Sequence, residues 1–354
     1  MNDAIPPDFV APHRLILSRA ALIANYRWLQ AQAPGAACGA AVKADGYGLG
    51  AQEVVPILAE AGCRDFFVAS WAEAAAIAHL VPPASISVLH GLRDADMALA
   101  RALADVARPV LNTPAQVARW VGAGGGACDV MVDTGINRLG LPMEELALLD
   151  GLNISTCLSH LASADADVPQ NVQQLARFQA VRGRVAAARY SIANSAGICL
   201  GADYHFDLIR PGLALYGGVP RSEAAPHIRQ VAFPEAQILQ VRTVAAGDGV
   251  GYNATWVAQR PRRVATIHLG YADGYLRGFS GTGQAVTADG DAIAVIGRVS
   301  MDLVTLALPD DSQLGEGDWL RIDFDLARAA AQSGLSPYEL LTSLGGRYQR
   351  FWAE

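Results

Sequence analysis

AVKADGYGLG, residues 41–50, is the stretch on which the reading of this chain turns. The apolar residues 39–42 read as a buried strand, and that strand ends on Lys43. Three glycines and Tyr47 follow, and then AQEVVPILAEAG carries helical apolar spacing. A lysine where a parallel strand opens into a glycine-rich loop is oddly placed for a solvated charge. Partial desolvation there lowers its pKa from about 10.4 and opens imine chemistry with a carbonyl. The competing reading is a lysine whose stem packs at a strand end while its amine stays in water. The rest of the chain decides between the two.

Outward from Lys43 the chain alternates strand-like and helical patterns. Strand-like runs occupy 39–43, 65–69, 86–90, 107–111, 129–133, 154–160, 190–194 and 207–210, and Ala-rich amphipathic stretches separate most of them. The runs are continuously apolar rather than alternating, which predicts parallel strands buried on both faces. Eight such units fit a (β/α)8 TIM barrel; an open doubly wound sheet is the alternative, and it would want a phosphate loop at its first βα turn. From about residue 226 the pattern changes to short β-rich runs broken by Gly/Asp turns, closed by one helical segment at 336–344. The expected organisation is a barrel over 12–225 and a C-terminal all-β domain over 226–354. The N-terminal strand HRLILS is expected to join the second domain, since it precedes the barrel's first helix.

Composition narrows the class. With 354 residues, 52% of them hydrophobic, the chain can bury a barrel-sized core and a second domain. A net charge of -7 gives no basic footprint for nucleic acid or anionic membrane. The segment MNDAIPPDFVAPHR has no apolar core of signal-peptide length, and no stretch is apolar enough to span a bilayer. Cys38, Cys63, Cys128, Cys157 and Cys199 are scattered and lack CxxC spacing, as expected of small buried hydrophobes in a reducing compartment. A cytoplasmic protein is expected. Asp133-Thr134-Gly135 matches the aspartic-protease triplet, but it occurs once and inside a βα pattern. The glycine cluster 122–126 follows a helix and precedes a strand, the wrong order for a phosphate cradle. No HExxH or Cys/His cluster argues for a metal.

In a barrel, chemistry gathers at the C-terminal ends of the strands. Those ends carry Lys43 with Tyr47, Arg138 beyond Asp133, His160, Asn194 with Ser195, and Arg210 with Gly212. Singly, each has an ordinary structural reading: Arg138 as partner of a surface carboxylate, His160 as a core histidine. Together they offer an imine-forming amine, hydroxyl and backbone N–H groups for a phosphate, and cations for a ring bearing oxygen and nitrogen. That set suits pyridoxal 5'-phosphate, a flat anionic aldehyde.

The motifs that carry these residues resemble those of the pyridoxal-phosphate-dependent, fold-type III alanine racemases. AVKADGYGLG, VDTGINRLG, SHLASAD, ANSAG and RPGLALYG follow in that family's order through the barrel, and VGYNATW, LGYADGYLRG and GRVSMD in the C-terminal part. The resemblance implies that Lys43 is the Schiff-base lysine and the base on one face of the substrate Cα, with Tyr252 the base on the other. It implies phosphate ligands at Tyr47, Ser195, Gly212 and Leu213, with Asn194 beside them. Arg138 would face the cofactor's phenolic oxygen and also contact substrate; Arg210 would face the pyridine nitrogen. His160 would lie against the ring and link Tyr252 to Arg210. Met301 would bind the substrate carboxylate through its N–H, with Tyr271 also at the substrate, and Asp165, Arg277 and Arg298 would line an entry corridor. The same resemblance implies a homodimer with composite active sites, a small amino-acid substrate, and D-alanine supply for peptidoglycan.

The chain departs from the pattern in places. Met131 stands where many relatives have a lysine that becomes carbamylated and steadies the arginine at 138. Gly346 stands where a phosphate-binding tyrosine is usual, with Tyr348 as a nearby substitute, and Leu49 and Ser300 replace a frequent histidine and cysteine. A missing tyrosine would widen the pocket, so a racemase that also accepts serine is the first alternative. A non-catalytic pyridoxal-phosphate carrier would be a barrel alone, and a decarboxylase of this fold type would carry a C-terminal catalytic cysteine motif.

Overall fold

The computed structural model describes residues 9–354. The first eight residues, part of the stretch in which no targeting segment is expected, lie outside them. Two units result: Ala21–Arg229, and a second that joins the described residues up to Ala20 with Gln230–Glu354.

The second unit begins with β1 (His13–Ser18), whose place is given below. The first unit is a ring of parallel strands: β2 (Ala37–Cys38), β3 (Ala40–Ala41), β4 (Phe66–Val68), β5 (Ile86–Val88), β6 (Ala107–Leu111), β7 (Ala127–Met131), β8 (Asn153–Leu158), β9 (Arg189–Ser191) and β10 (Leu208–Ile209). β3 to β9 pair in sequence order. β2 and β3 are one extended segment split at Gly39, pairing with β10 on one side and β4 on the other. Backbone bonds Asp207 N–H to Tyr190 O (3.1 Å) and Arg210 N–H to Ala193 O (2.9 Å) join β10 to β9 and close the ring. This is the (β/α)8 barrel, with helices such as Trp71–Ile77, Pro114–Gly122 and Pro169–Arg182 between strands. β4 and β5 are buried at every position, as strands covered on both faces must be.

Polar side chains link the strands, one pair between neighbours and two between strands further apart in the ring. Arg108 on β6 lies 3.5 Å from Asp129 on β7, Ser87 Oγ on β5 donates to Asp129 Oδ2 (2.6 Å), and Arg189 on β9 pairs with Asp65 (2.6 Å). Burial alone would push the Asp129 carboxyl up, and Arg108 and Ser87 oppose that.

The second unit is antiparallel. β11 (Ala232–Val244) pairs with β1 and, further along, with β18 (Trp319–Ile322) and β14 (Arg262–His268), with a register shift between Ile238 and Gln240. β14 continues through β17 (Leu303–Ala307), β16 (Ala292–Ile296) and β15 (Gln284–Val286) back to β18, so six strands close on themselves. β1 adds outside β11, and β19 (Gln349–Ala353) runs parallel to β1. Closure removes the free edges that an open sheet would expose. Leu320, Leu306, Ala285 and Ile267 fill the interior.

One expectation needs correction. Two helices, not one, close the chain: Leu326–Ser333 precedes Pro337–Thr342. Asp325 caps the first by accepting the Arg328 N–H (2.9 Å), and Gly334 ends it in the left-handed region. All five cysteines are free, four of them buried, and burial pushes the Cys63, Cys128 and Cys157 thiols up to about 12. Among the described residues no helix is long and apolar enough to cross a membrane.

Candidate active site

Lys43 stands immediately beyond β3, where the backbone makes an unusual turn. Ala44, Asp45, Gly46 and Tyr47 all have φ between 52° and 62°, so the chain coils left-handed directly after the lysine. Three of the four carry a Cβ, and each costs about 1–2 kcal/mol in that region. Local bonds and an aromatic stack hold them there. Gly46 N–H donates to Val42 O (2.9 Å), Gly50 N–H to Asp45 O (2.9 Å), and Ala51 N–H to Asp45 Oδ1 (2.8 Å). The Tyr47 ring stacks on Tyr216 at 4.7 Å, and the Tyr216 hydroxyl donates to Ala41 O (2.9 Å) on β3 itself.

The left-handed turn delivers the Tyr47 hydroxyl to Gly212. A Cβ on Gly212 would lie 2.2 Å from that oxygen, so only glycine allows the approach. Ser195 Oγ accepts the N–H groups of Gly212 (2.9 Å) and Ala214 (3.2 Å), and among the described residues the Leu213 N–H between them has no acceptor. Asn194 caps the short helix Ser195–Ile198 by accepting the Gly197 N–H (2.9 Å). The Tyr47 and Ser195 hydroxyls and the Leu213 amide thus gather around Gly212 in one cradle, donors of the kind a phosphate needs. These residues fit the phosphate end of pyridoxal phosphate.

Positive groups gather at the same strand ends. Arg210, buried beyond β10, donates Nη1 to Ser191 Oγ and Nη2 to the Ser159 carbonyl (2.7 Å). Burial pulls its guanidinium down to about 10, so it stays cationic at neutral pH. Arg138 is exposed and forms no ion pair among the described residues, which leaves it available to an anion. Burial lowers the Lys43 amine first; Arg138 and Arg210 lower it further, and Glu73 opposes them. His160 is pushed down to about 3 by burial, with Arg210, Arg138 and Lys43 adding repulsion. It is therefore a neutral ring at any working pH. The expected hydrogen bond between His160 and Arg210 is absent among the described residues. The buried guanidinium takes the Ser191 and Ser159 oxygens instead, and its charge acts on His160 through space.

The second unit carries its own set. Tyr252 is 64% exposed on a turn set by Gly251 (φ 71°), and it shares a recess with Arg242, Val250, Val264, Arg298 and Leu303. Tyr271 N–H donates to Ser300 O (3.0 Å) and Ala272 N–H to Met301 O (3.0 Å), so the loops bearing Tyr271 and Met301 are bonded together. The Arg277 guanidinium lies 5.4 Å from the Tyr271 ring centre. Met301 is exposed, and its N–H has no acceptor among the described residues. Asp165 lies exposed in the barrel loop after His160. Tyr348 does not offer itself as a phosphate ligand: it is buried, packed edge-on against His13 at 4.9 Å.

Comparison with known proteins settles the family. The family model described as "Alanine racemase, N-terminal domain" matches residues 17–220, and "Alanine racemase, C-terminal domain" matches residues 231–352. The chain belongs to the alanine racemase family. It is 43% identical over 353 residues to the alanine racemase of Acidiphilium cryptum, covering 95% of this chain and 97% of the relative. The crystal structure of alanine racemase from Bartonella henselae, with covalently bound pyridoxal phosphate, superposes with a TM-score of 0.90 at 35% identity, covering 97% of this chain and all of that one. The biosynthetic alanine racemase of Pseudomonas aeruginosa gives 0.87 at 31%, covering 98% and 100%. Alanine racemases are isomerases that depend on pyridoxal phosphate, and this chain is an enzyme of that family.

Two supporting residues of this racemase were not singled out from sequence. Tyr216 lies within RPGLALYG, but nothing local marks it as the ring behind Tyr47. Glu73 reads as an ordinary helix-cap glutamate, three residues after Ser70. The cradle makes a direct prediction. Gly212→Ala drives a methyl into the Tyr47 hydroxyl, so the ring stacked on Tyr216 must shift and take its hydroxyl off the cradle. Losing one charge-assisted phosphate contact weakens pyridoxal phosphate binding about ten- to a hundredfold, measurable by fluorescence titration of the cofactor-stripped protein.

Proposed function

We propose that this alanine racemase interconverts L- and D-alanine by a two-base route. Lys43 Nζ exchanges a proton on one face of the substrate Cα and the Tyr252 hydroxyl on the other. Pyridoxal phosphate, bound covalently, supplies electron withdrawal that acidifies the Cα–H. Inversion needs a proton taken from one face and another returned to the opposite face, so two bases on opposite sides suffice. The lowered Lys43 amine is closer to the neutral, proton-accepting form at working pH than a surface lysine is.

The other residues bind and orient. Tyr47, Ser195, Gly212 and Leu213 hold the phosphate through hydroxyl and amide donors, with Asn194 shaping the turn. Arg138, lacking a carboxylate partner, faces the phenolic oxygen, and Met131 leaves it without a carbamylated neighbour. Arg210 faces the ring nitrogen as a fixed cation that does not readily give up its proton. His160 packs as a neutral ring. The free Met301 N–H receives the substrate carboxylate beside Tyr271, and Asp165, Arg277 and Arg298 border the approach.

Lys43 belongs to the barrel and Tyr252 to the β unit, and the working site pairs the barrel of one copy with the β unit of another, in a C2 homodimer with two composite sites. D-Alanine for peptidoglycan, made in the cytoplasm, is the proposed physiological product; the biosynthetic Pseudomonas relative supports it. The assignment of Lys43 is carried by its convergence with Arg138, His160 and Arg210 at the barrel's strand ends, and that of Tyr252 by the family resemblance of VGYNATW. A second reading, activity toward serine as well, is favoured by Gly346, where a Cβ would meet nothing within 4 Å.

The test is incubation with L-alanine and L-serine in D2O, following optical rotation and Cα deuteration. Racemisation with Cα exchange is expected for alanine, and the rate with serine chooses between the readings. Optical rotation that stays constant with alanine would overturn the function.

A further inference from the structure

We propose that Glu73 is a positioning residue for Lys43, a carboxylate clamp that ties the first peptide after the lysine to the end of the neighbouring barrel strand. Glu73 stands at the third position of the helix Trp71–Ile77, whose N-cap Ser70 accepts the Glu73 N–H (3.3 Å). A glutamate there ordinarily returns to the N-cap's own N–H. This one reaches further. Oε2 accepts the Ala69 N–H at 2.7 Å, one residue before the cap, and Oε1 accepts the Ala44 N–H at 2.9 Å. Capping alone requires neither bond, and the second crosses to a different βα unit.

The place of that second bond matters. Ala44 is the first of the four consecutive left-handed residues, and Lys43 directly precedes it. The Gly46, Gly50 and Ala51 N–H groups bond back to Val42 and Asp45, inside the turn itself. Glu73 therefore anchors, from outside, the peptide on which the direction of the lysine stem depends. It is also the acidic group acting on the amine. From the surrounding strand ends Lys43 faces Arg138 and Arg210, both cationic, and the neutral His160, while the Asp45 carboxylate is turned to the Ala51 N–H. Glu73 thus sets both where the amine points and how readily it holds its proton.

The inference rests on the reading of Lys43 as the amine that takes the cofactor. The experiment adds pyridoxal phosphate to the full chain, reduces with borohydride across pH 6–9, and quantifies the adduct on Lys43 by mass spectrometry, alongside cofactor affinity. Glu73→Gln keeps the shape but removes the charge and turns one acceptor into a donor. Expected are about tenfold weaker cofactor binding and a lower pH of half-maximal trapping, since the amine loses its opposing carboxylate. Glu73→Asp, which keeps the charge, is expected to restore the pH midpoint. Ser70→Ala removes the helix cap without touching the carboxylate, and should move neither readout. Any other pattern in Glu73→Gln, or the same changes in Ser70→Ala, overturns the proposal. No adduct on Lys43 in the unsubstituted chain would overturn the underlying reading, a result distinct from these.

Discussion

Lys43→Ala is expected to lose racemase activity by about 10⁴-fold or more, because one residue supplies both the covalent anchor and one of the two bases. The surroundings make it hard to replace. Arg138 and Arg210 are permanent cations and His160 is a weak base held near 3, so no neighbour at these strand ends can accept the Cα proton at neutral pH. Measurement is direct: polarimetric rates for the variant, with thermal unfolding to establish that it folds. Retention of more than a small fraction of activity would show that Lys43 is not the base. The same variant should give no borohydride-trapped cofactor, which separates loss of anchoring from loss of fold.

Tyr252→Phe tests the other face, and it should do so asymmetrically. Racemisation falls by about 10²–10⁴ for loss of one general base. Lys43 still exchanges the proton on its own face, so in D2O one alanine enantiomer should take up deuterium without inverting while the other does neither. Tyr252 stands exposed on the Gly251 turn, where the barrel of another copy can reach it. By contrast, burial pushes the Tyr26, Tyr216, Tyr275 and Tyr348 phenols well up, and these are packing residues. Equal loss of exchange for both enantiomers would remove Tyr252 from the second-base role.

Much of the barrel was legible because each strand is a short, continuously apolar run that must be buried on both faces. The residues that end those runs could then be read as one group, while the cradle of Tyr47, Ser195, Gly212 and Leu213 was named only through the family resemblance. Other features were not legible. Ala44, Asp45 and Tyr47 carry no sign of positive φ, since side chains disfavour it and local bonds combine with the Glu73 and Tyr216 contacts to hold it. The partners of Arg210 and the clamp at Glu73 depend on which strands lie side by side, information that no local pattern carries. The Leu326–Ser333 helix was missed because it is a short helix of 8 residues set among strand-like runs. Tyr348, named from sequence only as a nearby substitute for the phosphate tyrosine, is buried edge-on against His13, a contact that no local pattern announces.

The central claim is that Lys43 and Tyr252 act together in a site made by two copies of the chain. Mixing equal amounts of Lys43→Ala and Tyr252→Phe, each inactive alone, and allowing subunits to exchange tests it most directly. Half the dimers become mixed, each with one intact site of two, so activity should recover to about a quarter of the unsubstituted enzyme. No recovery, with subunit exchange verified by mass spectrometry, would contradict the account.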